Sequence, residues 1–339
     1  MIAKRLIAAL KNYLPNLILL WLAILLYRYN SYYINFLGSN TQKVLIYLAL
    51  AYTLSFPIYV IYPPKEEGKG LIIFRAMKRI VPELHSYLKN WVFRPRPFPK
   101  LEPREKTSLL FLLVKIFFLP IMLNFLFTNF FSLKKYLGSL NQEIFNIDYF
   151  LFIIYPASLA LLFLIDTSYF SFGYVFEAGF LKNKVRSVDP TLFGWAVALI
   201  CYPPFSGFAI KYIPWYANEY IELPSSHWTA ILRVAVLLFV IIYVWATVAL
   251  GAKCSNLTNR GIISKGPYAF VRHPAYISKN IVWWLVVIPI MNVYVFFAML
   301  GWSVIYYFRA ITEERHLLKD RDYVEYYKKV KYKFIPFVW

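Results

Sequence analysis

The chain has 339 residues, 60% of them hydrophobic, 20% aromatic and only 16% charged. That composition excludes an ordinary soluble globule, which has too little polar surface to cover so much apolar material, and makes a bilayer the expected solvent. The formal net charge of +20 does not call for nucleic acid, because membrane topology and anionic headgroups account for it.

In chain order, apolar runs predict membrane segments over 14–28, 43–62, 108–131, 149–165, 191–210 and 229–250. The basic start and apolar run of the first 28 residues lack a small-residue cleavage site and read as a retained anchor. Between the second and third runs, Gly70 to Lys89 is expected to form an amphipathic helix lying at the headgroups, with Leu71, Ile72, Phe74, Met77, Ile80, Val81 and Leu84 on one side. The stretch Arg94-Pro95-Arg96-Pro97-Phe98-Pro99 cannot be helical and reads as an extended linker or basic lipid contact. The last run, Ile277 to Phe308, is too long for one span. Pro289 and Asn292 break it near the middle and predict two helices joined by a tight turn. The expected fold is therefore an all-α polytopic membrane protein with eight transmembrane helices, ending in a C-terminal hairpin.

The basic residues test that count. With both termini in the cytosol, the segments placed inside carry thirty Lys and Arg. Outside lie only Arg28, Lys43, Lys134, Lys135 and Lys211. Such asymmetry is the signature of a positive-inside topology, and a miscounted span would scramble it. The chain divides into an N-terminal transmembrane region, 1–190, with a basic cytosolic loop at 64–107, and a C-terminal membrane domain, 191–339, that holds the chemistry. The location expected is a bacterial inner membrane or the endoplasmic reticulum, with the site facing the cytosol.

Several chemistries lack their residues. Two cysteines, Cys201 and Cys254, and four dispersed histidines suggest neither a disulfide framework nor a metal site. There is no phosphate-cradling G-x-x-x-x-G-K-[ST] motif, and Gly68-Lys69-Gly70 follows no strand.

What remains is a pair of polar segments bracketing the hairpin. The first contains Gly266-Pro267-Tyr268 and Arg272-His273-Pro274-Ala275-Tyr276. The second contains Arg309, Glu313, Glu314 and Leu317. A membrane hairpin brings both to one bilayer face, where a polar cofactor can meet a lipid-soluble substrate. Taken singly, the aromatics are interfacial anchors, Arg272 snorkels, and Arg309 and Glu313 form a salt bridge one helical turn apart. His273 has no obvious packing role. The two carboxylates gain nothing from the dipole of a helix C-terminus.

Together the segments read G-x-Y-x-x-x-R-H-P-x-Y, a helical hairpin, and R-x-x-x-E-E-x-x-L, followed by Tyr323, Tyr326, Val330 and Pro336. This order of blocks over roughly 229–339 resembles the integral-membrane methyltransferases, which include isoprenylcysteine carboxyl methyltransferases and phospholipid methyltransferases. The resemblance implies an enzyme using S-adenosylmethionine. By motif position, Gly261, Ile262, Ile263, Tyr268, His273, Pro274, Tyr276 and Glu313 would contact the cofactor, and Arg309 would orient the acceptor. The loop before Gly261 is shorter than in the eukaryotic enzymes, which leaves Thr258, Asn259 and Arg260 outside the assignment. An aromatic face, Tyr268 or Tyr276, attracts the sulfonium cation. A carboxylate acceptor needs no base, whereas an amine must lose a proton, with Glu314 or His273 as candidate bases. The lipophilic acceptor, an isoprenylcysteine-like carboxylate, a phospholipid headgroup or another membrane nucleophile, is expected to arrive laterally from the bilayer, so membrane lipids are the expected partners and neither nucleic acid nor metal is. Two other readings stay open: an NADPH-dependent sterol-type reductase, which shares the C-terminal block, and a non-catalytic lipid-binding protein that kept the fold.

Overall fold

A computed structural model describes residues 2–64, 66–90, 98–140, 146–336 and 338. The chain is 73% helical, and its strands are a single two-residue pair among the described residues, so the fold class is all-α. Six of the described helices are long and apolar enough to cross a membrane. The chain is thus built as an integral, multi-pass membrane protein. It forms two compact units, Met1–Pro120 and Ile121–Trp339.

The first unit contains α1 (Ile2–Tyr29), α2 (Ser31–Phe36), α3 (Ser39–Leu54), α4 (Phe56–Ile61), α5 (Lys69–Asn90) and the first half of α6 (Pro103–Leu137). Its polar contacts follow from its prolines. A proline inside a helix has no N–H to give the carbonyl four residues earlier, and in a bilayer that carbonyl must find another donor. Pro57, in the first turn of α4, has no N–H for the carbonyl of Thr53 at the end of α3, and the Tyr13 hydroxyl donates to that carbonyl at 2.6 Å. Pro120 orphans the carbonyl of Ile116, and the Tyr27 hydroxyl donates there at 2.9 Å. Both tyrosines lie on α1, which makes that helix the donor strip of the unit. The amphipathic stretch is helical as expected, over α5, but its faces are divided. Leu71 and Ile73 are buried, whereas Phe74, Met77, Val81 and Leu88 form an exposed stripe. Asn12 and Asn16 of α1 accept the backbone N–H groups of Gly68 and Gly70 and so tie down the start of α5. Of the linker expected at 94–99, residues 94–97 lie outside the described residues.

The second unit contains α7 (Ile147–Val175, with a π-turn at Phe150–Ile154), β1 (Ser187–Val188), α8 (Leu192–Leu199), α9 (Phe205–Ala209), α10 (Ser226–Leu250), β2 (Thr258–Asn259), α11 (Pro274–Val287), α12 (Val293–Leu317) and α13 (Arg321–Lys329). The core is a seam of small and β-branched residues. Val236, Val240 and Val244 recur every four positions on α10 and pack with Val282, Val286 and Val287 of α11 and Met299 and Trp302 of α12. Polar groups inside this seam are largely paired, with Arg233 Nε left without a hydrogen-bond partner among the described residues. Asp166 of α7 accepts from the Tyr243 and Thr247 hydroxyls at 2.9 and 2.6 Å, and the Arg233 guanidinium donates to Leu151, Tyr220 and Glu222.

The expected break in the last apolar run falls where the proline places it. A single 3-10 turn, Ile288–Ile290, follows α11, and the Asn292 side chain caps α12 by accepting the N–H groups of Tyr294 and Val295. Residues 191–210, expected as one span, fold instead as the short helices α8 and α9. The Pro203-Pro204 pair between them cannot continue a helix, and α8, with 8 residues, spans only about 12 Å of a core about 30 Å thick.

Candidate functional site

Three pieces of the second unit converge at one end of the α11–α12 hairpin. Pro274 opens α11, where a missing N–H costs nothing, and puts Tyr276 in its first turn. The last two turns of α12 bring Arg309, Thr312, Glu313, His316 and Leu317 to one face. Opposite them, β1 and β2 pair antiparallel, Ser187 with Asn259 and Val188 with Thr258, which sets Asp189 beside Ser255–Thr258. One face of α8 closes the wall with Gly194 and Ala198. Thr191 caps α8, its hydroxyl accepting from Gly194 N–H. A Cβ at Gly194 would collide with the Asp189 carboxylate, so only glycine lets that wall close. These residues line a narrow cleft, open at its mouth.

The cleft's charges are held by partners from other elements. The Arg309 guanidinium donates to Asn256 Oδ1 at 3.0 Å. Asn256 in turn donates through its backbone N–H and its Nδ2 to the Tyr174 hydroxyl. Around the same guanidinium stand the rings of Tyr306, Tyr276 and Tyr202, at 5.1, 5.3 and 5.8 Å. The Tyr276 hydroxyl donates to Glu313 Oε2 at 2.7 Å. Arg309 and Glu313 share a helix face as expected, yet each is bound across the cleft to another element. Glu313 is exposed while Arg309 is buried.

The remaining sequence-predicted residues stand behind this cleft, where the C-terminal tail packs. Glu314 is buried, with Arg272 Nε at 2.7 Å and His273 Nε2 at 3.2 Å on one oxygen and Lys333 Nζ at 3.0 Å on the other. Arg272 also donates to the carbonyls of Val330 and Lys331 and covers the ring of Tyr327. The backbone N–H groups of Arg272 and His273 bond the carbonyls of Tyr332 and Lys333. His273 touches both regions, since its ring stacks on Tyr276 at 5.3 Å and 6°. Tyr323, Tyr326 and Val330 form a small core against Ile262, Tyr268 and Leu317, and the Tyr326 hydroxyl donates to the Tyr268 carbonyl. Gly261, at φ +90°, lets the Arg186 and Lys253 side chains approach its α-carbon, a conformation that disfavours other residues. Ile263 is half-buried in the loop that follows.

Of the predicted contacts, the fold therefore gathers Tyr276, Arg309 and Glu313 in the cleft wall. Gly261, Ile262, Ile263, Tyr268, His273, Pro274 and Glu314 are not among its lining residues. Sequence reasoning passed over Thr312, His316, Asn256 and Asp189 as wall residues. The first two were findable, because the three- and four-residue spacing that joins Arg309 to Glu313 continues to Thr312 and His316. Asn256 and Asp189 carry no local pattern. Compared with known proteins, the chain matches no family model and no curated sequence.

Proposed function

We propose that this chain transfers a methyl group from S-adenosylmethionine to a lipophilic acceptor at the cytosolic face of the membrane. The observation that carries this reading is the cleft at the end of the hairpin, where Tyr276, Arg309 and Glu313, three residues of the resembling motif, meet. The donor set fits the cofactor. An exposed carboxylate and an aromatic wall beside it suit a small cationic ligand with hydroxyl and amino groups. When bound, S-adenosylmethionine supplies an electrophilic methyl group on a sulfonium.

The chain's own groups do the rest. Glu313 accepts hydrogen bonds from the cofactor's amino or ribose groups, and its charge strengthens them. The Tyr276 ring lies parallel to His273 and beside the Arg309 guanidinium, and its hydroxyl holds the Glu313 carboxylate at the cleft. Arg309, pre-oriented by Asn256 and three tyrosine rings, is placed to hold an anionic group of the acceptor. The apolar hairpin excludes water and leaves mainly positioning to be achieved. In this reading the Glu314–Arg272–Lys333 cluster fastens the tail and acts on the cleft only through His273. The excess of basic residues on the segments flanking the site supports its cytosolic placement.

Calorimetry on the full chain in lipid nanodiscs tests the reading, with NADPH as the paired ligand. S-adenosylmethionine should bind, and Glu313→Ala should weaken that binding about tenfold or more, the loss of one charge-assisted hydrogen bond. Binding of NADPH alone would move the protein to the reductases. Binding of neither would favour a lipid-binding role.

A further inference from the structure

His316 carries an atom that the fold leaves without a partner. The residue lines the cleft and is only 6% exposed. Its Nε2 lies 3.2 Å from Ser187 Oγ on β1, and Nδ1 has no hydrogen-bond partner among the protein's atoms. An unsatisfied buried nitrogen is costly, and in native folds such an atom is completed by an ordered water, an ion, a ligand or a catalytic role.

The other titratable groups near the cleft are engaged. Asp189 accepts the backbone N–H and hydroxyl of Thr191 and stands 3.8 Å from Arg315. Glu313 takes the Tyr276 hydroxyl. Glu314 and His273 are bound to each other, and Glu314 also to Arg272 and Lys333. His316 is thus the wall residue with a ring nitrogen left over. It lies seven residues beyond Arg309 on α12, about 10 Å along the axis. An acceptor held at Arg309 by an anionic group can therefore present a second polar group to His316.

We propose that His316 is the general base of the cleft, taking through Nδ1 the proton of a lipid-borne amine, hydroxyl or thiol. This deepens the methyl-transfer reading and rests on it. The acceptor heteroatom gives its electron pair to the methyl carbon as the carbon–sulfonium bond breaks. That bond's pair stays on sulfur as a neutral thioether, and the acceptor's proton passes to Nδ1 and then to water at the cleft mouth. A carboxylate acceptor has no proton to give, so the proposal also fixes the acceptor class as a protic nucleophile. It requires Nε2–H to donate to Ser187 Oγ, which leaves the lone pair on Nδ1. The charged groups that face the ring are Asp189 from the β1–α8 turn, Glu313 on its own helix and Lys319 just beyond it, with Arg315 reaching Asp189.

The test uses the full chain in nanodiscs made of equal parts phosphatidylethanolamine and phosphatidylcholine. With isotope-labelled histidine, nitrogen NMR resolves four imidazoles, and replacing His85, His227 and His273 one at a time by Gln assigns the remaining signal to His316. In the S-adenosylhomocysteine complex at neutral pH, Nδ1 should be unprotonated; a protonated Nδ1 overturns the proposal, even if His316→Gln does not fold. Radiolabelled methyl transfer to the lipid amine should fall about a hundredfold or more in His316→Gln while cofactor affinity is kept, and the acid limb of the pH–rate profile should vanish. An unchanged rate and limb overturn the proposal. So does transfer confined to a farnesylated N-acetylcysteine carboxylate. Failure of the native chain to bind S-adenosylmethionine would instead remove the methyl-transfer reading, and this inference with it, before any His316 variant is made.

Discussion

Two regions on opposite sides of α12 use the same residue types to different ends. On the cleft side, Glu313 is exposed and takes one protein donor, the Tyr276 hydroxyl. On the tail side, Glu314 is 5% exposed and meets Arg272, His273 and Lys333. One residue of separation turns a helix by about 100°, so neighbours in sequence face different surroundings. The difference teaches which polar groups to read as structure. Where both oxygens of a buried carboxylate are answered by donors from other elements, the group fastens those elements together. Where a polar group faces a cleft with partners to spare, it is available for chemistry. The first unit applies the fastening rule to neutral groups, with Tyr13 and Tyr27 answering carbonyls that Pro57 and Pro120 set free.

The comparison breaks most visibly at Glu314. Glu314→Ala leaves Arg272 and Lys333 without their shared carboxylate in a buried place, and should cost about 3–5 kcal/mol of stability. Thermal unfolding in detergent measures it. Glu313→Ala, by contrast, should change the melting temperature little while it weakens cofactor binding. If the two variants behaved alike, the division between a fastening side and a chemical side would not stand.

Lys333→Met sharpens the same contrast at smaller amplitude. Its ammonium is 3.0 Å from Glu314 and its side chain is 16% exposed. Removing it leaves Arg272 and His273 on the carboxylate, so about 1–2 kcal/mol should be lost. Binding of S-adenosylmethionine should persist, because the tail stays tied through the carbonyls that Arg272 holds. A variant that kept full stability but lost binding would put Lys333 in the chemistry.

How far the sequence discloses this arrangement depends on the range of the contact. Helices driven by long apolar runs were legible, and so was the hairpin break, because Pro289 and Asn292 act on their own neighbourhood. The failure at 191–210 has the same local cause read too lightly. Hydropathy counted the run as one span, while Pro203-Pro204 forbids a continuous helix through it. Arg309 and Glu313 were legible as one face of one helix. Their partners were not, since Asn256 lies 53 positions from Arg309 and Tyr276 lies 37 from Glu313. Tyr323, Tyr326 and Val330 stood out as a pattern, and the fold gives that pattern a packing role against Ile262 and Tyr268. Composition alone does not say which side of α12 the tail covers, and that placement separates Glu314 from Glu313.

The smallest expected effect lies where the tail side reaches solvent. Asp320 caps α13 by accepting Asp322 N–H and also accepts Arg186 at 2.8 Å and Asn259 at 2.7 Å. Partial burial alone would raise its pKa, but the hydrogen bonds from Arg186, Asn259 and the Asp322 backbone together hold it below the usual carboxylate value. A depressed native pKa means that the bonds stabilise the fold fully above the unfolded value, about 3.9, and that this is lost as pH falls through the native value. Arg186 is half exposed, so solvent screening limits the ion pair to at most about 1 kcal/mol. Asp320→Asn separates the charge from the cap, because asparagine caps a helix as well as aspartate does. The variant should melt slightly below the native chain at neutral pH, and the gap should close below about pH 4. A gap that stayed constant into acid would assign the effect to the Arg186 and Asn259 hydrogen-bond geometry rather than to charge.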